Sequence, residues 1–171
     1  MGYSLGGRLA LQAVYDKPGL WDEVVLLSAH PGLKAEQEKI ARKNSDQVWA
    51  DKFLNLPWQE VVKLWNDQPV FIHSQKPARE ATEVNRESLA DSLVNWSLAD
   101  HDFSPDQLIP LKAKLHWLAG ENDAKYLSLF QDLKTAGIID DLTIVKSAGH
   151  RVHFDNPNAV ARLLVQKLDL V

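Results

Sequence analysis

An α/β fold built on a mostly parallel sheet is the class that the sequence predicts, and three observations carry it. Short, nearly continuous apolar runs alternate with amphipathic helical patterns along much of the chain. A Gly-x-Ser-x-Gly turn, Gly2-Tyr3-Ser4-Leu5-Gly6, stands directly before the first helical pattern. An aspartate and a histidine follow the second and third apolar runs, Asp123 after "LHWLAG" and His150 after "LTIVKSA".

The elements follow in order. Residues 5–16 carry Leu5, Leu9, Ala10, Ala13 and Val14 at helical spacing, and Pro18-Gly19 ends that helix. Three apolar runs, Glu23–Ala29, Lys114–Gly120 and Leu142–Ala148, read as strands buried on both faces. Between the last two, Tyr126, Leu129, Phe130 and Leu133 form a helical stripe closed by Gly137. Asn156 is placed to cap a final helix with Pro157 at its first position, and Val160, Leu163, Leu164 and Leu168 form its buried face. This helix-strand-helix-strand-helix order predicts right-handed crossovers and a parallel sheet.

Residues 33–110 interrupt the rhythm with helical stretches at roughly 34–44, 45–54, 57–66 and 77–99, and with no strand pattern. The sequence therefore predicts a core from 1–32 and 111–171, with 33–110 inserted as a helical lid over the strand ends. Ligands of open α/β sheets bind beyond the carboxyl ends of the strands. Trp49, Trp58, Trp65 and Trp96 lie in the insertion, either as its own small core or as walls of a pocket.

Composition bounds the partners. At 171 residues the chain can bury a real core, and its net charge of −4 gives no broad attraction for nucleic acid or anionic lipid. No apolar run approaches the roughly 20 residues that cross a bilayer. The absence of cysteine excludes disulfides and thiolate metal sites and agrees with a cytoplasmic location, which is the expectation. An anionic ligand would have to be held by particular arginines against the mean charge.

The chemical candidates are Ser4, Asp123 and His150. A serine hydroxyl is a weak nucleophile and base unless an imidazole takes its proton, and the imidazole needs a carboxylate to fix its tautomer. The order serine, acid, histidine, each just past a strand, is the order expected when three strand ends share one edge of a sheet. Glu121 competes with Asp123 as the acid, and His153 competes with His150 as the base. A His150-x-x-His153 metal pair lacks a third ligand at suitable spacing. His30, in "SAHPGL", is the remaining histidine placed to line a pocket.

"GYSLGGR", "HPGL", "SDQVWADKFL", "QPVF", "GENDAKY" and "AGH" together make the chain resemble the α/β-hydrolase fold. Within it the resemblance is to the 2-succinyl-6-hydroxy-2,4-cyclohexadiene-1-carboxylate synthases of menaquinone biosynthesis. It implies a lyase that uses neither metal nor organic cofactor. Serine, activated by the His–Asp pair, would take a proton from a small anionic cyclohexene carboxylate, and pyruvate would leave.

The resemblance also implies substrate contacts from Arg8, Arg42 and Arg86, each a type of side chain that pairs with carboxylates. Trp65 would wall the ring, while Tyr3 and the Leu5 amide would face developing negative charge. A hydrolase of esters or carbon–carbon bonds is the alternative with the same triad, and a non-catalytic binding module is a second. The family pattern places several strands and an oxyanion loop ahead of the serine turn. The expectation is accordingly that these residues are the carboxyl-terminal portion of such an enzyme, weakly active or inactive in isolation.

Overall fold

The computed structural model describes residues 1–81 and 84–168. Four parallel strands form a sheet in the spatial order β1 (Gly2–Tyr3), β2 (Glu23–Leu27), β3 (Lys114–Gly120) and β4 (Asp141–Val145). Chain order equals spatial order, so every connection runs the same way across the sheet. Leu27 sits beside Tyr3 on one side and Leu118 on the other, which aligns the carboxyl ends of the three strands.

Alternation within the apolar runs divides the core into two layers. Val24 and Leu26 of β2, with Trp117 and Ala119 of β3, face helix α1 (Leu5–Asp16) and helix α5 (Ala124–Thr135). Val25, Leu27, Leu118 and Val145 face the opposite way, onto Val152 and helix α7 (Pro157–Lys167). A strand buried on both faces has no polar side to show, which is why these runs read as continuous rather than alternating. Asn156 caps α7 through its Oδ1, which accepts the Ala159 amide, and Pro157 opens the helix.

Two strands are shorter than the apolar runs that announce them. β2 stops at Leu27 because Ser28 turns to φ 46°, and β4 stops at Val145 ahead of Ser147 at φ 55°. Both turns leave the extended region and release the following residues into loops.

Between β2 and β3 the chain is helical, with α2 (Glu36–Asn55), α3 (Trp58–Asn66), a short 3-10 helix (Pro69–Phe71) and α4 (Arg86–Asn95). The expected break near residue 44 is absent. Asn44, Ser45 and Asp46 are weak helix formers because they compete for backbone hydrogen bonds. Here Asp46 is buried and spends its carboxylate on Arg42 Nε and Ser97 Oγ, so tertiary contacts override propensity. The helix expected over 77–99 begins only at Arg86, where Asn85 Oδ1 accepts the Ser88 amide, and it ends at Asn95. Thr82 and Glu83 in that span lie outside the described residues.

Phe53, Trp58 and Val61 form the core of this helical segment, with Trp49 and Trp65 packed against it, whereas Trp96 is exposed. Arg86 has a structural place in it. Its Nε donates to Phe53 O at 2.6 Å and its Nη2 to Leu56 O, so the guanidinium satisfies carbonyls at the end of α2. The final carbonyls of a helix have no intrahelical partner, and a half-buried cation there also complements the helix dipole.

At the amino ends of the strands, buried His116 lies between two carboxylates. Its Nδ1 is 2.5 Å from Asp141 Oδ2 and its Nε2 is 3.2 Å from Glu23 Oε2, while Lys167 donates to both Asp141 oxygens at 2.7 Å. Burial acts to raise the Asp141 carboxyl, but hydrogen bonds from Lys167 and His116 prevail and hold it below the usual range.

A depressed carboxylate stabilises the fold above its ordinary pKa, and that contribution is lost as pH falls through the folded value. Asp141→Asn is therefore expected to lower stability at neutral pH by roughly 1–3 kcal/mol and to flatten the acid limb of a denaturation-versus-pH series. Arg86→Ala is expected to destabilise by a similar amount, about 1–3 kcal/mol, by leaving two carbonyls without donors. Urea titrations followed by tryptophan fluorescence measure both.

Candidate active site

Ser4 occupies a strained turn between β1 and α1. Its backbone lies at φ 46°, ψ −110°, a conformation that non-glycine residues seldom adopt and that persists only where the surroundings impose it. The imposing contacts are local: Ser4 N–H donates to Leu27 O at 2.9 Å, and the Arg8 amide donates to Ser4 O at 3.1 Å. A Cβ on Gly2 would come within 2.3 Å of Gly6 O, so the close return of the chain requires glycine there. The Leu5 amide, at the first position of α1, has no partner among the described residues and points along the positive end of that helix.

Asp123 follows β3 and caps α5, where its Oδ1 accepts the Tyr126 amide at 3.3 Å. His150 lies in the loop after β4. The two loops are tied together by the Asn122 amide, which donates to Ala148 O at 2.8 Å. His150 Nδ1 is 2.7 Å from Asp123 Oδ2, with both residues about 97% buried or more. Since a carboxylate only accepts, Nδ1 carries the hydrogen, and Nε2 then faces Ser4 Oγ at 3.3 Å as an acceptor.

The two competing assignments are engaged elsewhere. The Glu121 carboxylate takes Lys146 Nζ at 2.7 Å and the Ser147 amide at 3.0 Å, bracing the outside of the loop. The His153 ring packs against Tyr3 at 4.4 Å between centroids.

A cavity of about 240 Å³ opens beside Ser4 and His150, walled by Trp65, Phe71 and Tyr126 and bordered by Arg42 and Lys125. Trp65 stands 5.9 Å from Phe71, which is 5.5 Å edge-on to His150, so an aromatic file runs from the helical segment to the imidazole. Tyr126 closes the other side of the imidazole at 4.6 Å, and burial pushes its phenol up to about 12. Arg42 is steered by Asp46, to which it donates through Nε alone, at 2.8 Å from each carboxylate oxygen. Its two Nη groups have no protein partner among the described residues. The same field acts on His30: burial first, then Lys125, Arg42 and Arg8, push its imidazole down to about 3.

Several residues singled out in the sequence lie away from this cavity. Arg8 is buried and donates from Nη1 to Trp96 O at 2.9 Å, with His101 Nε2 at 3.0 Å, so it fastens α1 to the end of α4. Burial, reinforced by Arg42, pushes its guanidinium down to about 10. Arg86 holds the end of α2, as described above. His30 accepts the Gly32 amide and sits behind Tyr126 at 6.2 Å rather than on the cavity wall. The Tyr3 ring lies on the imidazole side of the site, against His153 and 5.5 Å from His150, and burial holds its phenol protonated. Conversely, Lys125, Gln68 and Phe71 border the cavity without having been marked as site residues. Lys125 had a legible signal, since a cation two residues after the acid at a helix start projects beside it.

The chain matches the model of the alpha/beta hydrolase family over residues 1–163. It is 36% identical, over 99% of its length, to the 2-succinyl-6-hydroxy-2,4-cyclohexadiene-1-carboxylate synthase of Salmonella paratyphi B, and spans 68% of that protein. The counterpart from Salmonella enteritidis matches to the same extent. Among solved structures, MenH from S. aureus superposes with a TM-score of 0.84 at 22% identity, covering 98% of this chain and 66% of that one. A carboxylesterase of Nitrososphaera gargenis shares the fold at a TM-score of 0.68 and 14% identity, with 99% and 63% covered. The chain belongs to the alpha/beta hydrolase family and, within it, to the 2-succinyl-6-hydroxy-2,4-cyclohexadiene-1-carboxylate synthases.

Proposed function

We propose that the chain carries the pyruvate-eliminating chemistry of menaquinone biosynthesis, acting on a succinyl-enolpyruvyl-hydroxy-cyclohexene carboxylate. The observation that carries this reading is the hydrogen-bonded row Asp123–His150–Ser4 opening onto a cavity with two cations. His150 takes the Ser4 proton as Ser4 Oγ takes a proton from the ring. The electron pair of the broken C–H bond forms a ring double bond, and the C–O bond to the enolpyruvyl group breaks. Pyruvate leaves as its enolate, which gains a proton, so the balance needs neither oxidant nor metal. The Leu5 amide supports negative charge that develops near Ser4, as a donor fixed before the reaction begins.

Arg42 and Lys125 account for the substrate's charge. The Nη groups of Arg42 offer a fork for one carboxylate, and Lys125 offers a point charge for another. Trp65 and Phe71 give the ring a flat apolar wall, and residues 33–110 serve as the lid that excludes water. Arg8 and Arg86 act by holding this lid in place rather than by touching substrate.

Incubation with the enolpyruvyl substrate and enzymatic measurement of released pyruvate tests the reading. Ser4→Ala is expected to lower turnover on the order of 100- to 10,000-fold. Hydrolysis of p-nitrophenyl esters without pyruvate release would establish a hydrolase instead. Arg42→Ala is expected to raise KM by about tenfold or more, the loss of one charge-assisted hydrogen-bond pair, with a smaller change in kcat. Lys125→Ala is expected to act in the same direction, and steady-state kinetics separates the two constants.

A further inference from the structure

The backbone on both sides of His150 is held by a polar cluster that the triad itself does not use. Asp155, at the end of the short helix α6 (Val152–Asp155), turns its carboxylate back on the loop. Its Oδ2 accepts the Gly149 amide at 2.8 Å and the Ser74 hydroxyl at 2.9 Å, and its Oδ1 accepts the Gln75 amide at 2.7 Å. Ser74 Oγ in turn accepts the Arg151 amide at 3.0 Å. The amides flanking His150 thus end on a single carboxylate–hydroxyl pair, and half of that pair belongs to the helical segment between β2 and β3.

Arg151 doubles the connection. Its guanidinium is buried, donates to Gln75 O and Asn66 Oδ1 at 2.7 Å each, and lies 4.0 Å above the Phe71 ring that faces His150. The approach is close enough that a Cβ on Gly149 would fall 2.6 Å from both His73 O and Ser74 Oγ. Asp123 holds the imidazole through Nδ1, and the placement of the ring also follows its own backbone. The Nε2–Oγ separation of 3.3 Å, already long, depends on where residues 149–151 sit.

We propose that Asp155 is a positioning residue: with Ser74 it latches the His150 loop to the lid and thereby sets the Nε2–Oγ distance at which the proton moves. This rests on the proposed function, in which His150 takes the proton of Ser4 and so activates its oxygen. Misplacement of a reacting group by 1 Å costs on the order of 100-fold in rate, so a partial loosening of the latch is worth about tenfold.

The test is the rate at which Ser4 is labelled by a fluorophosphonate in the full chain, measured per folded molecule at a temperature where circular dichroism shows each variant folded. Asp155→Asn, which presents an amide where the Gly149 amide needs an acceptor, and Ser74→Ala are each expected to label about tenfold more slowly. The double variant is expected to label no slower than the worse single one, because the two share one network. Asp155→Glu, retaining the carboxylate, is expected to recover at least half of the lost rate. A purely structural role would lower the melting temperature and leave the per-molecule rate unchanged, and that result in Ser74→Ala overturns the latch even if Asp155→Asn does not fold. A wild-type chain that resists labelling overturns the activation of Ser4 by His150 itself and the latch with it.

Discussion

A buried imidazole and a buried carboxylate, 2.7 Å apart, are the contact around which this molecule is arranged. Either group alone would be costly to desolvate, and together they are tolerable only if the geometry is held closely. Asp123 is held because it also caps α5, and His150 because its neighbours on both sides are bonded. The arrangement follows from the sheet. With β1, β2, β3 and β4 parallel and in chain order, the loops leaving β1, β3 and β4 emerge on one edge. A serine, an acid and a base placed just past those strands have few places to go except toward each other.

The helical segment between β2 and β3 brings both charge and aromatic surface to the cavity. Arg42 reaches the cavity from α2 because buried Asp46 anchors its Nε and leaves the end of the fork exposed. Arg8 and Arg86 carry the same charge to different ends, one joining α1 to the turn after α4 and the other closing α2. The three arginines thus divide between the rim of the cavity and the scaffold according to which acceptors lie within reach. Off the cavity wall, the His30 imidazole is depressed chiefly by its own burial, and the nearby cations Lys125, Arg42 and Arg8 push it the same way.

The two layers under this site are dissimilar in purpose. One packs α1 and α5 against the face of the sheet containing Trp117, and these helices begin at Ser4 and Asp123, so core packing also aims the turn and the cap. The other packs α7 against Leu118 and Val145 and follows the loop of His150. Burial of apolar surface on both faces is what makes a strained serine at φ 46° affordable, since the turn has no room to relax without unpacking a helix.

The sequence alone determined the local facts. Apolar runs without alternation marked the strands buried on both faces, Pro157 after Asn156 marked the start of α7, and Gly2-Tyr3-Ser4-Leu5-Gly6 marked a turn whose close return requires glycine at its first position. The order of Ser4, Asp123 and His150 followed from the same signals, because each sits at a strand end. Tertiary structure decided what periodicity does not encode. Whether Arg42, Arg8 or Arg86 meets solvent, a carbonyl or a cavity depends on atoms distant in the chain. The continuity of α2 through Asn44–Asp46 depends on Ser97, some fifty positions away. The joining of Asp155 to Ser74 spans even more of the chain. Hydrogen bonds at that separation leave no repeat in the sequence, because their geometry exists only after the helices have packed.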